Sequence, residues 1–355
     1  RRRTIRKCLR KDKYQMARNT YGLDLGSYEI KVYDKKKDTI WKEKDVIAIK
    51  DGTEIFAVGD DAYGMYEKAP DNINVVFPMK EGVISHFNDM QFLLQNLLKK
   101  GRQFARGSEY VIAVPTDVTE VEKKAFFDLV IHSTAKAKEV NIVERSIADA
   151  VGLGLDVKET KGVLIVNFGG ETTELSVLAE GGMVLNRLLK LGGTAYDQAI
   201  VNLVRHSHDF LIGHHTAEIL RKRFGVFTGE KDAALSVAGR DLITGLPMRK
   251  TISYTLIRAA LRDPLLDCVR AIHSLLDRTP PEVRKAIHEN GIYLTGGMAY
   301  MPGLETYIEK ATGIHTSTSS EPDICVVNGL EKIIKSKELS KLAYSMLDQN
   351  YRWMR

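Results

Sequence analysis

A strand, a glycine turn and a second strand occur twice in this chain. The first copy spans residues 21–33, and the second begins at residue 163. In each copy the first strand closes on Asp or Asn, at Asp24 or Asn167, and a glycine follows two positions later. One such pattern is common, whereas two copies favour a duplicated α/β unit. We therefore expect two similar halves that face each other.

Length and composition fit two lobes and argue against several other classes. With 355 residues, of which 44% are hydrophobic, the chain can form two sizeable cores. No apolar run approaches the ~20 residues that span a bilayer. The N-terminus lacks the apolar core of a signal peptide, so we expect a cytoplasmic protein. The three cysteines form no CxxC pair, which argues against a disulfide framework or a zinc site.

The formal net charge of +6 is concentrated at the N-terminus. Residues 1–20 hold nine Lys/Arg against a single acidic residue, Asp12, so the rest of the chain is close to neutral. A nucleic-acid-binding body therefore lacks support, and we expect no nucleic-acid partner. The basic leader could instead meet anionic lipid, or it could belong to an extension upstream of Met16.

Three glycine loops each follow a predicted strand, and they begin at Asp24, Asn167 and Thr295. Glycine lets backbone N–H groups approach phosphate oxygens without an intervening Cβ. Three such loops, two of them on the duplicated unit, indicate phosphate binding. Neither GxxxxGK[ST] nor GxGxxG is present, so neither a P-loop nor a dinucleotide site explains them. Between the copies, Thr119 and Glu122 have the spacing of a capping box for a helix that runs to about residue 137.

The order and spacing of six segments resemble the bacterial actin-like MreB family. The segments are YGLDLGSYEIKVY (21–33), ERSIADAVGLGLDV (144–157), VNFGGETTE (166–174), LGGTAYDQAI (191–200), TAEILR (216–221) and YLTGGMAYMPGL (293–304). The resemblance implies the α/β actin/heat-shock ATPase fold, in which two lobes of duplicated RNase H-like units enclose a nucleotide cleft. It also implies ATP and Mg²⁺ in that cleft. The filaments it implies are homopolymers on the anionic inner face of the cell membrane that work with the cell-wall elongation machinery.

Within this fold we expect four parts along the chain. They are a basic N-terminal extension (1–16), lobe I (17–155, with 325–338 packing back on it), lobe II (156–324) and a basic C-terminal tail (339–355). In the tail, Leu339, Leu342, Met346 and Trp353 have near-helical spacing, so the tail could dock on the body, a partner or lipid. Residues 92–106 mix apolar and basic side chains, and Phe104 could insert into a membrane; the alternative is a core-facing helix over 92–98.

Carried over residue by residue, the resemblance implies four groups of nucleotide-binding positions. The first phosphate loop holds Asp24, Gly26, Ser27, Tyr28 and Glu29, and the second holds Asn167, Gly169, Gly170, Glu171 and Thr172. Glu218 and Arg221 lie on the helix beside the nucleoside, and Gly296, Gly297, Met298 and Ala299 form the adenosine loop. Asp24 would hold Mg²⁺ through water.

Three departures from the family pattern fall on the chemistry. Asn167 stands where the family usually has Asp, Glu171 where it has a third Gly, and Glu144-Arg145-Ser146 where it has Glu-Glu-Pro. Ungapped alignment puts Arg145 on the Glu that positions the attacking water, whereas a one-residue slip would return Glu144 to that role. Because phosphoryl transfer depends on water positioning and electrostatics, we predict weak or absent ATP hydrolysis with binding retained. The alternative is that the substitutions are tolerated and hydrolysis proceeds.

Two other functions share parts of this pattern. A small-molecule kinase of the same superfold would need an acceptor pocket, and the chain has no obvious insertion to build one. An FtsA-type cytoskeletal adaptor has an opening motif similar to residues 22–27. The segments at 144–157 and 216–221 match MreB better.

Overall fold

The computed structural model describes residues 19–100, 107–132, 137–226 and 233–347. Its strands are β1 (Thr20–Leu25), β2 (Glu29–Asp34), β3 (Thr39–Lys44), β4 (Ile47–Lys50), β5 (Glu54–Val58), β6 (Ile73–Val76), β7 (Met79–Lys80), β8 (Val83–Ile84), β9 (Glu109–Val114), β10 (Glu139–Glu144), β11 (Val163–Phe168), β12 (Thr173–Ala179), β13 (Gly182–Leu189), β14 (Phe210–Leu211), β15 (Ala234–Asp241), β16 (Pro247–Ser253), β17 (Ile292–Thr295) and β18 (Thr316–Thr318). Its α-helices are α1 (Asp60–Tyr63), α2 (Phe87–Lys100), α3 (Glu120–Ile131), α4 (Arg145–Gly152), α5 (Gly193–His208), α6 (His214–Phe224), α7 (Tyr254–Arg278), α8 (Pro281–Asn290), α9 (Leu304–Thr312) and α10 (Cys325–Lys335). Short 3₁₀ turns cover Gly297–Tyr300 and Leu339–Leu342.

Two five-stranded sheets repeat one topology. The first has the order β10-β9-β1-β2-β3, and the second, read in the same direction, is β18-β17-β11-β12-β13. In each sheet three consecutive strands form an antiparallel meander. Two further strands add parallel to its first strand. The expected α/β fold with a duplicated unit is confirmed.

The central strands β1 and β11 are buried along nearly their whole length. Continuous apolar runs of this kind are typical of strands that are covered on both faces. One hydrophobic cluster joins the two sheets, because it combines Val111 and Val143 with Val163 and Ile165. Side chains of α4 and α10 complete this cluster.

Helix α10 packs closely against α4 through two glycines. A Cβ on Gly152 would lie 2.1 Å from the backbone oxygen of Cys325, and one on Gly329 would lie 1.8 Å from that of Ala148. Only glycine allows this approach. The contact fixes the start of α4, where Arg145 lies, relative to both sheets. The predicted lobe boundaries themselves stay a prediction.

The structure describes part of residues 92–106 and part of the C-terminal tail, for which the sequence left alternatives open. The core-facing alternative holds for α2, whose Leu93, Leu94 and Leu97 are buried; Phe104 lies outside the described residues. All of the predicted basic extension (1–16) and the last part of the tail, including Trp353, also lie outside them. The described part of the tail docks on the body without forming an α-helix, and Tyr344 pairs with Ile142 at the edge of the first sheet. No described helix is long and apolar enough to cross a membrane.

Asp45 anchors the hairpin β7–β8, which lies beside the cleft described below. Its side chain is fully buried and accepts a hydrogen bond from the backbone N–H of Met79 at 2.9 Å. The other carboxylate oxygen has no hydrogen-bond partner among the residues described. Burial raises the pKa of Asp45 to about 7, against the lowering effect of the Met79 bond.

This raised pKa predicts a pH dependence of stability. Between about pH 4 and pH 7 the folded protein holds a proton on Asp45 that the unfolded chain releases, so the free energy of unfolding falls as pH rises. We expect Asp45→Asn to reduce that fall by on the order of 1 kcal/mol for each pH unit of this window. Denaturant titrations at both ends of this window measure it, with the exposed Asp71→Asn as a control that keeps the wild-type slope. Equal slopes for Asp45→Asn and wild type would contradict the prediction.

Candidate functional site

A cavity of about 620 Å³ is lined by residues from both five-stranded sheets. It brings together the three predicted glycine loops and the predicted nucleoside helix α6. The predicted residues that line it are Asp24, Gly26, Ser27, Tyr28, Glu29, Arg145, Asn167, Gly169, Gly170, Glu171, Thr172, Glu218, Arg221, Gly296, Gly297 and Met298. Ala299 and Glu144 do not line it. Their shared cavity makes these residues candidates, and their roles in binding stay a prediction.

The two phosphate loops have the same local geometry. A Cβ on Gly26 would lie 2.9 Å from the backbone oxygen of Glu29, and one on Gly169 would lie 2.9 Å from that of Thr172. In the second loop the Gly169 N–H donates to the Thr172 carbonyl at 2.8 Å. Each turn is therefore too tight for a side chain, which leaves backbone groups facing the cavity.

The two loops also contact each other. Gly170 packs against Tyr28, and a Cβ on Gly170 would lie 2.5 Å from the Tyr28 Cβ. The hairpin β7–β8 lies across both loops, because Gly82 N–H donates to Ser27 Oγ at 3.2 Å and Glu81 N–H donates to Glu171 Oε2. Glu171, the residue in place of a family glycine, thus binds the hairpin. Burial raises its pKa.

The Gly170 contact predicts a cost for any side chain there. We expect Gly170→Ala to lower the free energy of unfolding by about 1–3 kcal/mol, because the added methyl overlaps Tyr28 and forces the loops apart. Gly182→Ala is the matched control, since a Cβ there meets nothing within 4 Å. Chemical denaturation of both variants measures the difference. A stability of Gly170→Ala equal to that of Gly182→Ala would refute the contact.

Four charged side chains form a buried network between the sheets. Lys31 lies opposite Asp24 in the β1–β2 register, and its Nζ is 3.5 Å from Asp24 Oδ2. Arg145 Nε lies 3.6 Å from Asp24 Oδ1, and Nη1 lies 3.6 Å from Glu174 Oε2. Arg145 Nη2 donates to the Leu25 carbonyl at 3.1 Å. The side chains of Lys31, Asp24, Arg145 and Glu174 are between 3% and 12% exposed, so Arg145 joins both sheets through buried charge.

Glu174 depends on this network. Its Oε1 accepts hydrogen bonds from the backbone N–H and the hydroxyl of Thr116, whereas Oε2 has no hydrogen-bond partner in the described parts of the chain. Burial raises the pKa of Glu174, and the positive charge of Arg145 opposes that effect. Arg145 is therefore the cation that compensates the buried carboxylate.

Asn167 is held by a second buried carboxyl group. Its Nδ2 donates to Asp149 Oδ2 at 2.6 Å, and Thr295 Oγ1 donates to the same oxygen at 3.0 Å. Complete burial raises the pKa of Asp149 to about 7, although both hydrogen bonds lower it. The Asn167 amide thus donates to Asp149, whereas an aspartate at position 167 would place a second carboxylate against it and be repelled.

The residues around Asp24 do not fit a magnesium ion. Mg²⁺ in proteins is held by carboxylate and water oxygens, yet each Asp24 oxygen already lies within 3.6 Å of a cationic side chain. A divalent ion beside Lys31 and Arg145 would be repelled by both. Within the described ranges no group of three or more His, Cys, Asp or Glu residues could hold a metal.

Glu144 and Arg145 lie differently with respect to the cavity. Strand β10 ends at Glu144 and α4 begins at Arg145, which lines the cavity. Glu144 does not line the cavity, and which of the two residues stands at the water position stays a prediction.

The other end of the cavity is aromatic, and hydrogen bonds to Glu218 on α6 cross it. Glu218 Oε1 accepts from the Tyr28 hydroxyl at 2.9 Å, and Tyr63 also donates to Glu218, at 3.4 Å. Arg221 forms a two-pronged bond to Asp197, with Nε–Oδ1 at 2.7 Å and Nη2–Oδ2 at 3.1 Å. Tyr63, Tyr66 and Phe77 line the same region. This end can cover a planar base, whereas the glycine loops can take phosphates.

Sequence reasoning missed several residues of the site. They are Lys31, Thr116, Asp149, Glu174, Asp197 and the aromatic residues Tyr63, Tyr66 and Phe77. A signal existed for one pair. Lys31 and Glu174 are equivalent positions of the repeat, because they pair with Asp24 and Asn167 respectively.

Comparisons with known proteins agree with this architecture. A family model described as MreB/Mbl protein matches residues 18–342. The cell shape-determining protein MreB of Escherichia coli (strain K12) is 34% identical over 329 residues, which cover 90% of this chain and 94% of that protein. The crystal structure of MreB5 of Spiroplasma citri bound to AMPPNP superposes with a TM-score of 0.87 and 28% identity, covering 92% of this chain and 98% of that one.

A more distant likeness shows the fold alone. MamK in a double helical filament has a TM-score of 0.76 at 19% identity, covering 90% of this chain and 99% of that chain. The family match over most of the sequence, the relative at 34% identity and the repeated sheet topology point to one assignment. The chain belongs to the MreB/Mbl family.

Proposed function

We propose that this protein binds ATP in the cleft between its two sheets and assembles into filaments of identical subunits that act in cell shape. The observation that carries the proposal is the convergence of three glycine loops on one cavity of about 620 Å³. Support comes from the relatives, since the Spiroplasma citri MreB5 structure holds AMPPNP and the Escherichia coli protein is named for cell shape. In this proposal the first two glycine loops contact the phosphates and the loop at 296–299 contacts the adenosine. Glu218 and Arg221 lie beside the nucleoside.

We further propose that hydrolysis is weak or absent. Arg145 occupies the position where the family pattern has the water-positioning carboxylate, and a cation cannot accept a proton from water. Asn167 is neutral and donates its amide to Asp149. Asp24 and Glu174 are both paired with cations, so neither replaces the missing base. Magnesium, predicted at Asp24, has no part in this proposal, because the residues there do not fit it.

The filaments, in this proposal, lie on the anionic inner face of the cytoplasmic membrane and work with the cell-wall elongation machinery. The basic residues 1–20 support the membrane part, since each cation near an anionic surface contributes about 1 kcal/mol to attraction.

Sedimentation tests the three parts together. Purified protein is spun with ATP, ADP or no nucleotide, with and without anionic liposomes, and phosphate release is followed in the same tubes. We expect pelleting with ATP, more with liposomes, and negligible phosphate release. Phosphate release that rises with filament formation would sink the claim of weak hydrolysis. No pelleting in any tube would remove filament formation and leave only a nucleotide-binding fold.

A further inference from the structure

We propose that this cleft binds the phosphates of its nucleotide without a divalent cation, and that Lys31 and Arg145 supply the positive charge instead. The inference rests on the proposed nucleotide binding and concerns the same cavity. It follows from where these two side chains lie, how they are held and how many of their donors remain for a ligand.

Lys31 reaches the cavity because of its strand register. It stands opposite Asp24 on β2, its side chain is only 12% exposed, and it lines the cavity with the first phosphate loop. The ammonium group has three donors. Asp24 is its only hydrogen-bond partner among the residues the structure describes, at 3.5 Å. That distance exceeds the 2.7–2.9 Å of a strong charge-assisted bond, so the ammonium keeps donors for a phosphate oxygen.

Arg145 approaches Asp24 from the other side. Its guanidinium has five donors, of which one is used by the Leu25 carbonyl. The approaches to Asp24 and Glu174, at 3.6 Å each, are ion pairs without a direct hydrogen bond. A planar fork of this kind suits two-pronged binding of phosphate. Burial of the side chain fixes the guanidinium before a ligand arrives.

The two cations take the place that a metal would need. A magnesium ion neutralises phosphate by lying between the phosphate oxygens and a protein carboxylate. Here Asp24, the only carboxylate of strand β1, has a cation beside each of its oxygens. Adding a divalent ion would bring positive charge next to positive charge. Phosphate entering between the glycine loops would instead meet Lys31 and Arg145 directly.

Isothermal titration calorimetry with ATP and with ADP, in excess magnesium and in EDTA, tests the inference at protein concentrations too low for assembly. We expect the wild-type affinity to change less than about fivefold between the two buffers. A larger loss in EDTA would overturn the inference while nucleotide binding stood. No binding in either buffer would overturn the proposed function and this inference with it.

Variants separate the cations from the fold. We expect Lys31→Met to lose about tenfold or more in affinity in EDTA and less in magnesium, because Oδ2 of Asp24 then no longer has a cation beside it and can take a metal. Lys138→Met is the matched control, since Lys138 pairs with Glu109 at 3.4 Å outside the cavity and should change neither affinity. Arg145→Lys keeps the charge and should keep wild-type independence of magnesium. A Lys31→Met protein that is folded by circular dichroism and binds like wild type in EDTA would overturn the role of Lys31.

Discussion

Replacing Arg145 with alanine should lower the free energy of unfolding by about 3–5 kcal/mol, which is the usual cost of removing one partner from a buried ion pair. Arg145 is the one cation within 4 Å of Glu174 among the described residues. Without it, Glu174 keeps only the Thr116 hydrogen bonds, and its second carboxylate oxygen faces no donor. Asp24 would retain Lys31 alone. Equilibrium unfolding in urea measures the loss.

Two further variants distinguish buried charge from a general effect of losing an arginine. Arg262 is 78% exposed and paired with Asp263. Replacing it with alanine should lower the free energy of unfolding by less than about 0.5 kcal/mol. Adding Glu174→Gln to Arg145→Ala should recover part of the stability, because the uncompensated charge is then gone. If Arg145→Ala lowered the free energy of unfolding no more than Arg262→Ala, the pairing of Arg145 with Glu174 would contribute nothing to stability. The buried network described above would then be contradicted.

The sequence was sufficient to predict what depends on local pattern. The strand–glycine–strand repeat predicted two similar halves. The pattern is visible in the sequence because the turns at Gly26 and Gly169 have no room for a Cβ and therefore require glycine. The capping box at Thr119 and Glu122 was also predictable, since both of its hydrogen bonds join residues three positions apart.

The partners in the cleft could not be predicted in the same way. Arg145 and Asp149 lie on α4, whereas Thr116 follows β9. Which carboxylate or amide each one meets depends on how the sheets pack. Asn167 looked like a simple loss of charge, yet its amide is one half of a buried bond to Asp149. Only the structure shows that its partner is the carboxyl group of Asp149, 18 positions earlier in the chain.

The tail shows a different reason for failure. Its apolar spacing near helical period does not produce an α-helix, because Leu339 and Leu342 pack with the cluster between the sheets, whereas Tyr344 and Met346 pack with the core of the first sheet. Tyr344 pairs with Ile142 on β10, the outer strand of that sheet. Pairing with an exposed strand edge competes with local helix formation and here outweighs it.

Changing Asn167 to aspartate should lower the free energy of unfolding by about 3 kcal/mol or more above pH 7. Asn167 Nδ2 lies 2.6 Å from Asp149 Oδ2, so the variant would place two carboxyl groups in contact inside the protein. Two carboxyl groups this close share one proton, which raises the pKa of the pair. The loss should therefore be smaller at pH 5 than above pH 7, because at the lower pH the two carboxyl groups hold their shared proton.

Exchanging the two residues should recover most of this stability. In the double variant Asp149→Asn and Asn167→Asp, the amide at 149 donates to the carboxylate at 167, and the Thr295 hydroxyl can turn from donor to acceptor. We expect the exchange to unfold within about 1 kcal/mol of wild type, whereas the single Asn167→Asp variant does not. Denaturant titrations at about pH 8 and pH 5 compare the proteins. Equal stabilities of the single variant and the exchange at the higher pH would show that Asp149 does not determine the residue at 167. A stable exchange would also bring a carboxylate into the cavity at Asn167 without removing Arg145. Phosphate release from that protein would then measure whether the amide or the arginine limits hydrolysis, because Arg145 is unchanged in it.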